Sequence, residues 1–213
     1  MQTAPPRITV EAPVLAVGSG PSDYEALGNH VDGLRRQQGL HLTLLHIGVL
    51  ADFAQDVADW TKGTTSAAMA VDTTVTWLEA LPVLRGFSAS SGKLVLLGGG
   101  HVSGLEVDVP QHVRDYQVSL VMALHELLDD LLVDNIDDFI LGSPALGFRY
   151  PRWTPHIAIG RPRTRSRGPW GIESLEVHLG DSRIRNRHFL PAAGSGAGPR
   201  DQDAGTSRTV AGQ

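Results

Sequence analysis

The clearest periodicity in the chain lies between residues 112 and 134. Val113, Tyr116, Leu120, Ala123, Leu124, Leu127, Leu128 and Leu131 recur at three- and four-residue steps, the spacing that keeps apolar side chains on one helical stripe. The spacing predicts an amphipathic helix over 112–134. A second helix is expected over 22–38, where Ser22 stands at an N-cap position, Glu25 at the capping-box spacing and Gly39 as a stop. A shorter one is expected over 51–62. Strands follow from β-branched and aliphatic content over 7–17, 40–49, 93–97, 105–109, 151–161 and 172–179. Pro13 marks the first of these as an edge or a break. Gly98-Gly99-Gly100 joins 93–97 to 105–109 as a hairpin or a bulged connection. In the last strand Ile172, Leu175, Val177 and Leu179 alternate with polar residues. Residues 64–86 fit helix or strand.

The order helix, strand opened by a histidine, further strand occurs twice. This predicts an α+β protein, with two similar lobes of mostly antiparallel sheet flanked by helices and a cleft between them. Residues 191–213 are Ala, Gly, Ser, Pro, Thr and a few charges, with Val210 the one aliphatic larger than Ala, and read as a disordered tail. Residues 1–6 read as a flexible start. One domain over 7–190 remains.

Composition narrows the chemistry. The 213 residues include no Cys, which excludes disulfide scaffolds, thiolate zinc sites, iron–sulfur clusters and cysteine nucleophiles. A hydrophobic share of 41% is enough for a core and excludes wholesale disorder. The net charge of −5 argues against a general nucleic-acid coat. No basic leader runs into an apolar stretch at the N-terminus, and the longest apolar runs fall well short of the roughly 18–20 residues of a membrane span. A cytoplasmic protein without a membrane partner, monomeric by default, is expected.

The candidate chemistry opens two of the strands. One reads His41-Leu42-Thr43-Leu44-Leu45 and the other His156-Ile157-Ala158-Ile159-Gly160. Alternation puts His41 and Thr43 on one face and Leu42 and Leu44 on the other, and pairs His156 with Ala158 likewise. Two imidazoles on similar strands are suited to general acid and general base work on the two sides of one phosphorus centre.

These residues resemble the two-histidine (2H) phosphoesterase superfamily, which includes the bacterial 2′-5′ RNA ligase and RNA 2′,3′-cyclic phosphodiesterase group. The stretch from Gly39 to Gly48 is similar to the first family strand, including its closing Gly. Trp153-Thr154-Pro155-His156-Ile157-Ala158-Ile159-Gly160-Arg161 is similar to the second, including the Pro before the His and the Arg five residues after it. The stretch from Ile172 to Asn186 resembles the last strand and the Ser-containing turn that follows. The likeness spans about residues 8–187 in islands, and the 115-residue step from His41 to His156 is longer than in compact bacterial members. It implies that His41 and His156 flank a cyclic phosphodiester. One activates water or a ribose hydroxyl, the other protonates the leaving oxygen, and the order stays open. Thr43 holds a non-bridging oxygen, with Ala158, Arg161, Tyr150 and Arg152 as further substrate-binding positions. No metal or cofactor is implied, and the partner is RNA or a nucleotide bearing a cyclic phosphate.

The second motif departs from the family at Ala158, where Thr or Ser is expected. A hydroxyl on a charged phosphate contributes roughly 1.5–3 kcal/mol, so its loss slows turnover about ten- to a hundredfold unless Arg161 or a backbone N–H substitutes. A weakly active or non-catalytic RNA- or nucleotide-binding module on the same fold is the alternative.

Other candidates read as structural. Strict alternation puts His46 on the face opposite His41. His125 falls on the amphipathic helix near acids. Asp129, Asp130, Asp134, Asp137 and Asp138 form a solvated helix end, and no two histidines have the HExxH spacing. The Gly98–Gly100 run lacks the GK[ST] ending of a phosphate loop. Ser143 and Ser182 lack a nucleophile-elbow context. Of the 18 basic residues 16 are Arg, and nine of these fall between Arg149 and Arg187 against Glu173, Glu176 and Asp181. That local excess is either a solvated basic loop or a funnel for a polyanion.

Overall fold

Eight strands and five helices follow one another from β1 (Arg7–Val17) to β8 (Arg183–Arg185) in the computed structural model, which describes residues 7–146, 153–163, 170–187 and 190. The expected flexible start at 1–6 and tail over 191–213 lie outside the described residues. The other strands are β2 (Val31–Asp32), β3 (His41–Val49), β4 (Phe87–Leu97), β5 (Val102–Asp108), β6 (His156–Pro162) and β7 (Trp170–Leu179). The helices are α1 (Pro21–Ala26), α2 (Leu50–Trp60), α3 (Ala67–Ala80), α4 (Gln111–Asp130) and α5 (Ile136–Gly142). All strand pairings are antiparallel, in the order β2-β6-β3-β1-β7-β4-β5, with β8 on β1 and a further pairing of β5 with β6. The α+β class with an antiparallel sheet is therefore as expected. The two His-led halves form one continuous sheet, stitched at β3/β6 and β1/β7, and the β5/β6 pairing returns it on itself.

Several elements differ from the sequence reading, each for a local reason. The expected helix over 22–38 ends at Ala26. Gly28 and Asn29 follow in a 3-10 turn, Gly33 adopts φ +60°, and Val31 pairs with Pro162. Ser22 does not cap it; Gly20 is the N-cap and the Asp23 carboxylate accepts from the Ser19 N–H at 2.6 Å. The ambiguous 64–86 stretch contains α3, capped by Ser66, whose hydroxyl accepts from the Met69 N–H. Pro13 marks neither an edge nor a break, since β1 is a central strand that runs unbroken from Arg7 to Val17 and pairs with His41 at this residue. The Pro13 carbonyl accepts from the Gly180 N–H at 2.8 Å. Its donorless nitrogen faces that same side, between the partners β8 and β7, so no ladder bond is lost.

The hairpin at Gly98–Gly100 is as expected, and all three glycines have positive φ. Gly48 also has φ +84°, and a Cβ there would meet the Ala145 carbonyl oxygen at 2.0 Å. The core lies between the sheet and the helices. Leu42, Leu45, Ile47 and Ile157 are fully buried, and Phe53 and Phe139 meet edge to face with ring centroids 6.2 Å apart. Among the described residues no helix is long and apolar enough to cross a membrane.

Candidate active site

Leu42 of β3 pairs with Ile157 of β6, both 0% exposed. Antiparallel register at this pair sets Thr43 opposite His156 and His41 opposite Ala158, all four half-buried on the face turned from the core. His41 and His156 are thus diagonal neighbours, a relation that places Cα atoms about 7–8 Å apart. The strands carry the same burial alternation over their first five residues, so the likeness between the two words is structural as well as textual.

The imidazoles are held alike. The His41 Nδ1 lies 3.3 Å from the Gly39 carbonyl oxygen and the His156 Nδ1 2.7 Å from that of Thr154, in each case two residues earlier in the chain. A carbonyl only accepts, so the His156 Nδ1 carries the proton in the neutral ring and its Nε2 keeps a lone pair, whereas the His41 ring faces both an acceptor, the Gly39 carbonyl, and a donor, Arg185. Trp153 secures the approach to β6, its Nε1–H donating to the Thr43 carbonyl at 3.1 Å. A cavity of about 480 Å³ lies against this segment, lined by Lys93, Glu106, Arg114, Trp153 and Thr154 among others.

The register extends the site into a row across six strands. Arg183 pairs with Glu11, Glu11 with Thr43, His156 with Glu106, and Glu106 with Lys93. Glu106 is bridged by Lys93 at 3.1 Å. Glu11 is 1% exposed and accepts from Arg183 Nε and Nη2 at 3.2 and 3.1 Å and from Arg185 Nη1 at 3.3 Å. Its Oε2 is also 3.6 Å from the His41 Nε2. Arg185 Nη1 lies 2.9 Å from Nδ1 and 3.1 Å from Nε2 of the same ring. Burial disfavours the His41 imidazolium and holds its pKa below the ordinary histidine value. The Glu11 charge and the Gly39 carbonyl oppose this shift, and the Arg185 and Arg35 charges add to it.

Glu11 and Glu106 are not singled out by motif. The one available signal was an acid inside the otherwise apolar, β-branched stretch 7–17. The clustered arginines divide. Arg161 lies near the end of β6 opposite Asp32, exposed, and the irregularity between Ala158 and Gly160 in the pairing with β5 returns it to the side of His156. Arg163 bonds Asp32 and the Asn29 carbonyl. Arg185 reaches an imidazole, that of His41. Tyr150 and Arg152 lie outside the described residues.

A register shift in β3 changes the place of His46. Thr9 pairs with His46 and Glu11 with Thr43, with an irregularity between, so His46 falls on the Thr43 side rather than the opposite one. It remains structural, with Nδ1 2.7 Å from the Leu146 carbonyl oxygen. The two serines are engaged as well. Ser143 donates to Asp56 at 2.6 Å, and Ser182 accepts from the Leu84 N–H at 2.8 Å. Among the described residues no group of three or more His, Asp or Glu side chains is arranged to hold a metal ion.

No protein-family model matches the chain, and no curated protein matches it. Solved structures similar to it include TT0787 of Thermus thermophilus, at 14% identity and TM-score 0.45, covering 84% of this chain and 95% of that one. A phosphoesterase has 15% identity and TM-score 0.43, covering 84% and 94%. E. coli LigT complexed with 3′-AMP has 16% identity and TM-score 0.42, covering 85% and 94%.

Proposed function

We propose that this chain is a two-histidine phosphodiesterase that opens the 2′,3′-cyclic phosphate of RNA or a nucleotide, with His41 and His156 as the acid–base pair. The carrying observation is the pairing of Leu42 with Ile157, which makes the two imidazoles diagonal neighbours on one face. The Nδ1 contact of His156 supports it, because it leaves that ring's Nε2 to exchange a proton. One imidazole takes a proton from water as its oxygen bonds to phosphorus. The other, protonated, gives its proton to the ribose oxygen as that P–O bond breaks. The products are a phosphomonoester and a free hydroxyl, and the pair ends with its proton exchanged. Thr43 donates its hydroxyl to a non-bridging oxygen, and Ala158 and Arg161 stand on the same face of β6 as His156; Tyr150 and Arg152 are substrate-binding positions by the sequence resemblance alone. Positioned acid–base groups contribute about 10²–10⁴-fold each.

The test is turnover of a panel of nucleoside 2′,3′-cyclic phosphates, with chelator present. Wild type turns over, and His41→Ala and His156→Ala each lower kcat by about 10² or more. Full activity in either variant overturns the assignment. Ala158 favours a second reading, a binding module on the same site, which predicts saturable binding of the same compounds with no turnover.

A further inference from the structure

We propose that Arg185 holds the phosphodiester oxygen that a hydroxyl at position 158 would otherwise hold, so that the site grips its substrate with one hydroxyl and one guanidinium. The proposal rests on the two-histidine reading above. The register gives each imidazole an opposite residue, Thr43 for His156 and Ala158 for His41. The Ala158 methyl offers no donor, and it stands opposite His41. The guanidinium of Arg185 meets that same ring, with Nη1 at 2.9 and 3.1 Å from its nitrogens.

Arg185 is placed rather than adrift. Its Nη1 lies 3.3 Å from Glu11, a carboxylate 1% exposed and held from the other side by Arg183. Glu11 offsets one of the two cations, leaving the cluster with an excess positive charge directed at His41. A guanidinium has five N–H donors in a fixed fork, and the contacts to Glu11 and His41 use Nη1. The remaining fork suits two oxygens of one phosphate. Arg185 is 43% exposed and lines a shallow groove of about 630 Å³ with Arg183, Asn186 and Arg187, so an anion in solution can reach it.

Exchange between the two positions tests this. Arg185→Ala lowers kcat/KM for a nucleoside 2′,3′-cyclic phosphate by about thirtyfold or more, a loss typical of a charge-assisted contact. Ala158→Thr in the wild-type background gains much less than in Arg185→Ala, because the oxygen is already held. In the Arg185→Ala background the same Thr recovers about tenfold or more. A purely structural Arg185 would not be replaced by a hydroxyl on another strand, and Arg185→Lys, which keeps a cation for Glu11, checks that the fold persists by its thermal midpoint. Arg185→Ala within threefold of wild type overturns the proposal. So does a gain from Ala158→Thr that is the same with either residue at 185. Titration with inorganic phosphate separates it from the catalytic reading. Tenfold weaker binding in Arg185→Ala supports the proposal even if wild type shows no turnover; equal binding, or no binding by wild type, overturns it.

Discussion

Replacing Glu11 with Gln removes the anion that Arg183 and Arg185 share and leaves a neutral amide, 1% exposed, between them. Both arginines are half-exposed and can turn to water, so the cost is set by the lost charge-assisted hydrogen bonds rather than by a stranded cation. A loss of about 2 kcal/mol in urea-induced unfolding is expected for Glu11→Gln, and an unchanged midpoint would contradict the account. Glu11 was hard to read as a site residue because motif reasoning looks at strands bearing histidine, while Glu11 arrives from β1 through sheet register. His41 and His46 carry a pH prediction. Burial is the first cause in each case and holds both below the ordinary value of 6.5; the Leu146 carbonyl opposes the shift at His46 and the nearby Arg7 charge adds to it. The unfolded chain therefore binds more protons in the window below pH 6.5, and stability falls as pH drops through it. Above about pH 7.5 both states are neutral at these rings and the dependence is flat. Urea midpoints at pH 7.5, 6.5 and 5.5 should decline across the lower interval, with a smaller decline in His46→Gln. An equal decline in that variant would remove His46 from the explanation.

At the scale of elements, the turn after β3 is pinned by backbone alone. Gly48 has φ +84° and no room for a Cβ, since the Ala145 carbonyl oxygen would sit 2.0 Å away. Gly48→Ala therefore forces the chain segments around 48 and 145 apart. A left-handed non-glycine residue alone costs about 1–3 kcal/mol, and backbone contact adds to it, so a loss of more than about 2 kcal/mol is expected in denaturant unfolding. A smaller loss would mean that the 145 segment moves freely. The strands near the site were legible because their patterns are local: His41–Leu44 and His156–Ile159 alternate, and three consecutive glycines mark the hairpin. The elements that escaped reading are short and owe their form to distant partners. Val31–Asp32 is a strand only because β6 lies beside it, and Arg183–Arg185 only because β1 does. The helix expected over 22–38 carried plausible start and stop signals, yet it gives way to a 3-10 turn after Ala26, and Val31 pairs with Pro162. In the same way the shift between Val10 and Glu11 undoes any counting by twos along β3.

For the whole molecule, the decisive feature is that the sheet closes through β5 and β6. The candidate acid and base stand on neighbouring strands, and those strands come from halves of the chain 115 residues apart. Neither half holds the pair alone. Each half lends the other a seam: β3 meets β6 at Leu42 and Ile157, and β1 meets β7 from Val14 to Val17. Opening either seam exposes backbone donors and acceptors on two strands together with buried Leu42, Ile157 and Val177. Lost hydrogen bonds and exposed apolar surface then act together, so partial opening is unfavourable relative to complete unfolding. The sequence reading of two similar lobes would permit stepwise unfolding; the continuous sheet argues for one transition. Tryptophan fluorescence reports on both sides of the seams, since Trp60 lies in the helical layer with its Nε1–H on the Asp134 carbonyl, Trp153 ties β6 to β3, and Trp170 begins β7. Fluorescence and far-UV circular dichroism should therefore give coincident urea curves with a common midpoint and slope. Two resolved transitions would show that the halves fold independently, and the histidine pair would then depend on docking of two preformed units rather than on the integrity of one sheet.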